Sequence, residues 1–289
     1  MHTSGKHLWK KCAISHISKA ETKCFEYAAH GRFQPQMDAE NCLLHRSDAP
    51  RPAPAEQVFH LGQSAERFWG LHRAAIRRET ADKKKGFYFL PKLDYPITAG
   101  VWPLFSAKNL QAHFHFHHRE QLDALNARVL GTMWEAQPLD VILRKCAMDA
   151  TQVGVHHAAV QHFNHCLFWR CLIPGGAAML PDLNEAFTVR FGSIEKLISL
   201  FTGHCELLAR HCGSGWVFLV WAKENFEILP FPAPGGTPLA MDYTPLLAID
   251  MFEHSYMMDY GDDVAKYVRN FFRAVNWKVV HQWWRSCPR

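Results

Sequence analysis

Four histidines crowd one short stretch of this chain, "SAKNLQAHFHFHH": His113, His115, His117 and His118. His113 and His117 are four residues apart and would share one face of a helix. A further histidine, His165, lies in "FNHCLFW", framed by bulky groups. In "AIDMFEHSYMMDYG", Asp250 ends an apolar run and His254 follows four residues later. Three imidazoles and one carboxylate from separate elements can converge on a single cation, and that donor set suits iron, manganese or zinc. An ionised Asp in an apolar setting would cost several kcal/mol, roughly, if it stayed unpaired, and a metal ion would offset that cost. A helical histidine is otherwise an ordinary core or surface residue, so spacing alone leaves both readings open.

The elements that must carry these residues read as follows. A long helix starts from an N-cap at Ser106, and a second covers about 151–171. "IPGG" at 173–176 breaks the pattern. "SIEKLISLFTGHCELLARHC" is an amphipathic helix. "GSGWVFLVWAKENFEILPF" gives two short strands, "TPLLAID" a third, and "DVAKYVRNFFRAVNWKVVHQWW" a closing helical region. Helices come first and a mixed half follows, which predicts an α+β body in two layers.

The chain has 289 residues, 48% apolar and 13% aromatic, enough to bury a substantial core. No apolar run reaches the roughly 20 residues that a membrane span needs, so no membrane is expected as a partner. Nine cysteines are scattered without a CxxC pair. They read as free thiols in a reducing compartment. The net charge of +5 is unevenly placed. Residues 1–86 hold 15 Lys+Arg and 9 Asp+Glu, whereas the remaining residues hold 17 and 18. A basic arm on a near-neutral body predicts a polyanionic partner, a targeting role, or both. The first twenty residues carry four lysines and no acid, like a mitochondrial presequence, with a plain basic tail as the alternative. "SDAPRPAPAE" at 47–56 reads as an extended linker, and "SAERFWGLHRAAIRRE" at 64–79 as a helix with an Arg-rich face.

From about residue 87 to 289 the chain resembles the iron/manganese superoxide dismutase family. The resemblance is carried, in order, by "FLPKLDYPI", "SAKNLQAHFHFHH", "FNHCLFW", "FGSIEKLISLF", "GSGWVFLV", "GGTPLAMDYTPLLAIDMFEHSYMMDY" and "YVRNFFRAVNW". The charge pattern marks 1–86 as a basic extension with a possible mitochondrial presequence, and the resemblance implies a helical N-terminal hairpin domain at 87–181 and a C-terminal α/β domain with a small antiparallel sheet at 182–289. It places the family's four metal ligands on His113, His165, Asp250 and His254. It places the dimer-bridging glutamate on Glu253 and the gateway histidine on His117. Gln161 matches the glutamine that hydrogen-bonds metal-bound solvent in iron-type members; the manganese-type amide would come from the position of Gly235. The implied cofactor is therefore iron, with manganese as the alternative, and an empty site in a member that no longer turns over.

The pattern breaks at the family's two gateway tyrosines, which fall on Gln121 and Met257. Phe252 replaces a Trp, and Gly261 replaces a basic residue that attracts the anion. Two functions stay open. One is a structural subunit of the mitochondrial small ribosomal subunit, with the basic extension (Lys83, Lys84 and Lys85 among its cations) contacting rRNA and ribosomal proteins. The other is an active iron superoxide dismutase. Both imply the mitochondrial matrix and a dimer, either of identical chains or with a related dismutase-like chain.

Overall fold

A computed structural model describes residues 88–287. The basic extension, the extended stretch at 47–56 and the helix expected at 64–79 lie outside the described residues. Helices α1 (Ala107–Ala112) and α2 (Arg119–Val129) form one rod, joined by a π-helical turn over His113–His118. The Ser106 hydroxyl caps its start by accepting from the Asn109 N–H, as expected. The π turn was not predicted. It widens the helix where the histidines cluster, and such single turns recur at functional sites.

After the short helix α3 (Leu139–Lys145) comes α4 (Val153–Arg170), which packs antiparallel-fashion against the first rod as a hairpin. Every residue from Ala158 to Trp169 is buried. A helix buried on all sides belongs in the centre of a core, and its buried polar residues Gln161, His162, Asn164 and His165 then need partners there. Helices α5 (Pro181–Phe191) and α6 (Ile194–His211) follow; α6 is capped by the Ser193 hydroxyl. The strands β1 (Gly215–Ala222), β2 (Asn225–Pro232) and β3 (Thr244–Asp250) form one antiparallel sheet in the order β2-β1-β3. Central β1 is buried over most of its length, which matches its run of Trp, Val, Phe and Leu. Its register sets Trp216 opposite Asp250. Helices α7 (Glu253–Tyr260), α8 (Val264–Ala274) and α9 (Trp277–Arg285) close the chain.

The expected α+β architecture is what the structure shows: a helical hairpin, then helices with a small antiparallel sheet. Helices α3 and α5 were not foreseen. The segment at 173–176 is a turn, and it is stitched to the loop between α8 and α9. Ile173 N–H donates to Ala274 O at 2.9 Å, Ala177 N–H to Val275 O at 3.0 Å, and Asn276 N–H to Cys171 O at 2.7 Å. The six cysteines among the described residues are free thiols, in line with the expectation. No helix among the described residues is long and apolar enough to cross a membrane.

Gly176 allows the stitch. Its φ is +72°, and a Cβ there would overlap the carbonyl oxygen of Arg273. Gly176→Ala is predicted to cost more than about 1 kcal/mol, because strain and overlap act together. A lowered midpoint in denaturant unfolding, with the slope unchanged, is the expected readout.

Candidate metal centre

Asp250 ends β3 and is fully buried. Its Oδ1 accepts the Phe252 backbone N–H at 2.9 Å, which fixes the carboxylate. That leaves Oδ2 facing three imidazoles: His113 Nε2 at 3.1 Å, His254 Nε2 at 3.4 Å and His165 Nε2 at 3.5 Å. The π turn supplies His113, the C-terminal half of α4 supplies His165, and the first turn of α7 supplies His254. One donor atom from each of the four lies within 4.8 Å of the others. The structure thus brings together the four residues singled out in the sequence.

Hydrogen bonds set the ring faces. His165 Nδ1–H donates to the Gln161 backbone oxygen at 2.7 Å, so its Nε2 keeps a lone pair. That Nε2 and the Nε2 of His254 are buried with no hydrogen-bond partner. Orphaned buried nitrogens are rare, and each asks for a reason. A cation between them and Oδ2 is the reason the donor set fits, because imidazole nitrogen and carboxylate oxygen are iron and manganese ligands.

Aromatic rings form the walls. Trp169 meets His113 edge-on at 4.7 Å, Trp216 meets His165 at 5.0 Å, and Phe252 stacks on His254 at 5.6 Å. His117 is half-buried and stacks on His254, with centroids 4.1 Å apart. Gln161 is buried beside them. Its side-chain Oε1 accepts from Trp216 Nε1 at 3.1 Å, and its Nε2 donates to Pro234 O at 2.8 Å. A Cβ at Gly235 would sit 2.8 Å from that Nε2. The Gln161 amide and a side chain at 235 therefore compete for one space, and this chain fills it from α4.

Gln121 is half-buried on α2, and Met257 is exposed on α7. Glu253 is exposed at the start of α7 and makes no hydrogen bond or ion pair among the described residues.

A second cluster was missed in the sequence. His118, His162 and Cys166 bring three donor atoms within 4.8 Å of one another, all buried. Proton directions decide what it is. Trp169 Nε1–H can only donate, and it points at His118 Nδ1 from 3.1 Å. His118 therefore carries its proton on Nε2 and donates it to His162 Nδ1 at 2.9 Å. A nitrogen committed to a proton does not ligate a cation, and burial pushes the Cys166 thiol up to about 12. The cluster is a hydrogen-bonded row. Its His118 ring lies flat on His165, at 4.8 Å and 8°, and so backs one ring of the first cluster. The signal available beforehand was the i, i+4 spacing of His162 and Cys166.

With this geometry in place, the comparisons with known proteins are specific. Residues 87–173 match the alpha-hairpin domain of iron/manganese superoxide dismutases, and residues 179–283 match the C-terminal domain of the same enzymes. The chain is 36% identical over 201 residues to a superoxide dismutase [Fe] of Coxiella burnetii, covering 68% of this chain and 98% of that protein. It is 33% identical over 192 residues to the superoxide dismutase [Fe] of Salmonella typhimurium, covering 66% and 95%. A Synechocystis superoxide dismutase [Fe] is 31% identical over 195 residues, covering 67% and 96%. The chain belongs to the iron/manganese superoxide dismutase family. That family uses iron or manganese, and the four-residue cluster is capable of holding such an ion.

The electrostatics suit ligation. Burial lowers the His113 pKa from 6.5 to about 4 and the His165 pKa to about 3, against the pull of the Asp250 carboxylate. Burial opposes the charge on Asp250. The surrounding imidazoles, His254 first, outweigh it and hold the carboxyl well below the usual range. The His113 and His165 rings are thus neutral and the acid ionised, as metal ligands must be. Between pH 6.5 and about 4 the unfolded chain binds protons that the folded chain refuses, so stability rises with pH in that window. The metal-free chain is predicted to lose thermal stability as pH falls from 6.5 toward 4. A calorimetric pH series, expected to show a midpoint dropping steadily across that interval, checks this.

Proposed function

We propose that this chain is an iron superoxide dismutase in which His113, His165, Asp250 and His254 hold the ion. The observation that carries the reading is the pair of orphaned, buried Nε2 atoms of His165 and His254, set with His113 Nε2 around one carboxylate oxygen. Iron is favoured over manganese by the Gln161–Gly235 arrangement, and the relatives named as iron enzymes agree with that choice. When bound, the ion supplies one-electron oxidation and reduction, so that two superoxide anions and two protons become dioxygen and hydrogen peroxide.

The protein's own residues do the rest. Trp169, Trp216 and Phe252 exclude bulk water and keep the donor rings in place. Gln161 spends one amide N–H on Pro234 and keeps the second for solvent or substrate at the site. His117 stacks on a donor ring while remaining half exposed, which makes it the residue placed to pass protons inward. Glu253, exposed beside His254, is the contact we assign to a second copy in a dimer.

The iron-loaded full-length chain should therefore consume superoxide in a pulse-radiolysis assay. His165→Ala and Asp250→Ala should abolish stoichiometric iron in elemental analysis. Gln161→Ala should keep iron but slow turnover by about 10–100-fold. Iron content equal to the parent in both ligand variants would discard the site, and an iron-replete parent without turnover would discard the activity.

A second reading has its own support: a non-catalytic subunit of the mitochondrial small ribosomal subunit in the matrix. Gln121, Met257 and Gly261 stand where the resemblance calls for gateway and steering groups, and the excess positive charge lies in residues 1–86. The matched family models and the relatives named above are all dismutases, and none of them speaks for a ribosomal role. Cosedimentation with ribosomal particles, abolished by RNase and by salt, would be the expected result under this reading. A chain found only as a free dimer would remove it.

A further inference from the structure

His113 differs from His165 in one respect: no backbone carbonyl holds its far nitrogen. Ser255 stands there instead. Its hydroxyl lies 3.4 Å from His113 Nδ1 and 3.0 Å from the Tyr267 hydroxyl, and Tyr267 in turn donates to the backbone oxygen of Asp250 at 2.9 Å. All four residues are buried without solvent contact. A short circuit therefore runs from one donor ring, through two hydroxyls, to the main chain of the carboxylate donor.

We propose that Ser255 is the positioning residue that sets which nitrogen of His113 carries the proton, keeping the lone pair on the Nε2 that faces the metal centre. This rests on the reading of the four-residue cluster as a metal site. Tyr267 has one proton and gives it to Asp250 O. Ser255 must then donate to Tyr267 Oη, which leaves its lone pairs to accept His113 Nδ1–H. In that arrangement every proton has a place, and His113 Nε2 keeps its lone pair for a cation. The opposite arrangement does not close. With the proton on Nε2, His113 donates to Asp250 Oδ2 at 3.1 Å, but turning the Ser255 proton to Nδ1 leaves the Ser255 and Tyr267 oxygens 3.0 Å apart with no proton between them. A backbone carbonyl can only accept, and a hydroxyl whose proton is already committed acts in the same way. Ser255 thereby favours the Nδ1-protonated ring in a water-free site, which leaves His113 Nε2 its lone pair for an ion.

The full-length metal-free chain, titrated with Mn(II), gives the test. Loss of the free-ion electron paramagnetic resonance signal reports affinity without reference to turnover. Ser255→Ala suits the helix that carries it and should fold. It is expected to weaken Mn(II) binding by about 10–100-fold. Ser255→Cys keeps a side chain of similar shape, slightly larger, with a poor hydrogen-bonding group, and should behave like Ala. Nitrogen-15 spectra of the Zn(II)-loaded parent should show His113 protonated at Nδ1, and in Ser255→Ala the Nδ1 resonance should shift with the loss of its acceptor. Parent-like affinity in Ser255→Ala would overturn the proposal. So would parent-like affinity in Ser255→Cys, which would reduce the role of Ser255 to packing. A parent chain that takes up no Mn(II) would overturn the metal site itself, a different failure from either of these.

Discussion

A charged carboxylate with no access to water sits at the end of β3, and much of the architecture around it serves to keep it there. Asp250 is buried completely, yet its surroundings hold it ionised. An isolated ionised group in such a place carries a desolvation penalty of several kcal/mol, roughly, even after relaxation. The fold answers with one backbone N–H on Oδ1 and three imidazoles around Oδ2. Each imidazole comes from a different element. The hairpin, the sheet and α7 must all dock correctly before the charge is matched, so the site and the fold specify each other.

The neutral rings of His113 and His165 cannot fully match that charge. Two of the three facing nitrogens have no hydrogen to share with Oδ2 in usable geometry, and they remain unpaired. A cation resolves both deficits at once, because the carboxylate gains a counter-charge and the nitrogens gain an acceptor for their lone pairs. The outer hydrogen bonds point the same way. His165 gives its Nδ1 proton to the chain, and the Ser255 hydroxyl stands at His113 Nδ1. The neighbouring row of Trp169, His118 and His162 shows the contrast: there the Trp169 and His118 protons each have a partner nitrogen, so those nitrogens have no lone pair free for an ion.

The four converging residues were legible in the sequence because each lies in a long motif whose order along the chain is distinctive. The sheet was legible too, since "GWVFLVWA" and "TPLLAID" are apolar runs of strand length bounded by turns. Other features were hidden for physical reasons. The π turn at His113–His118 depends on tertiary packing, and an ideal helix pattern cannot report it. Helix α3 is only seven residues long, too short for periodicity to speak. The Ser255–Tyr267 link crosses from α7 to α8, and the His118–His162 link crosses between hairpin helices. Such contacts join side chains far apart in sequence, with no spacing rule to reveal them. The extension at 1–86 shows its charge in the sequence, while what it binds depends on a partner's surface.

Crystals of the iron-loaded full-length chain, measured at the iron absorption edge, would address the centre most directly. One anomalous peak per chain is expected, within bonding distance of His113 Nε2, His165 Nε2, His254 Nε2 and Asp250 Oδ2. Iron located elsewhere, or absent while the four side chains keep their places, would contradict the claim that this buried charge exists to hold a metal.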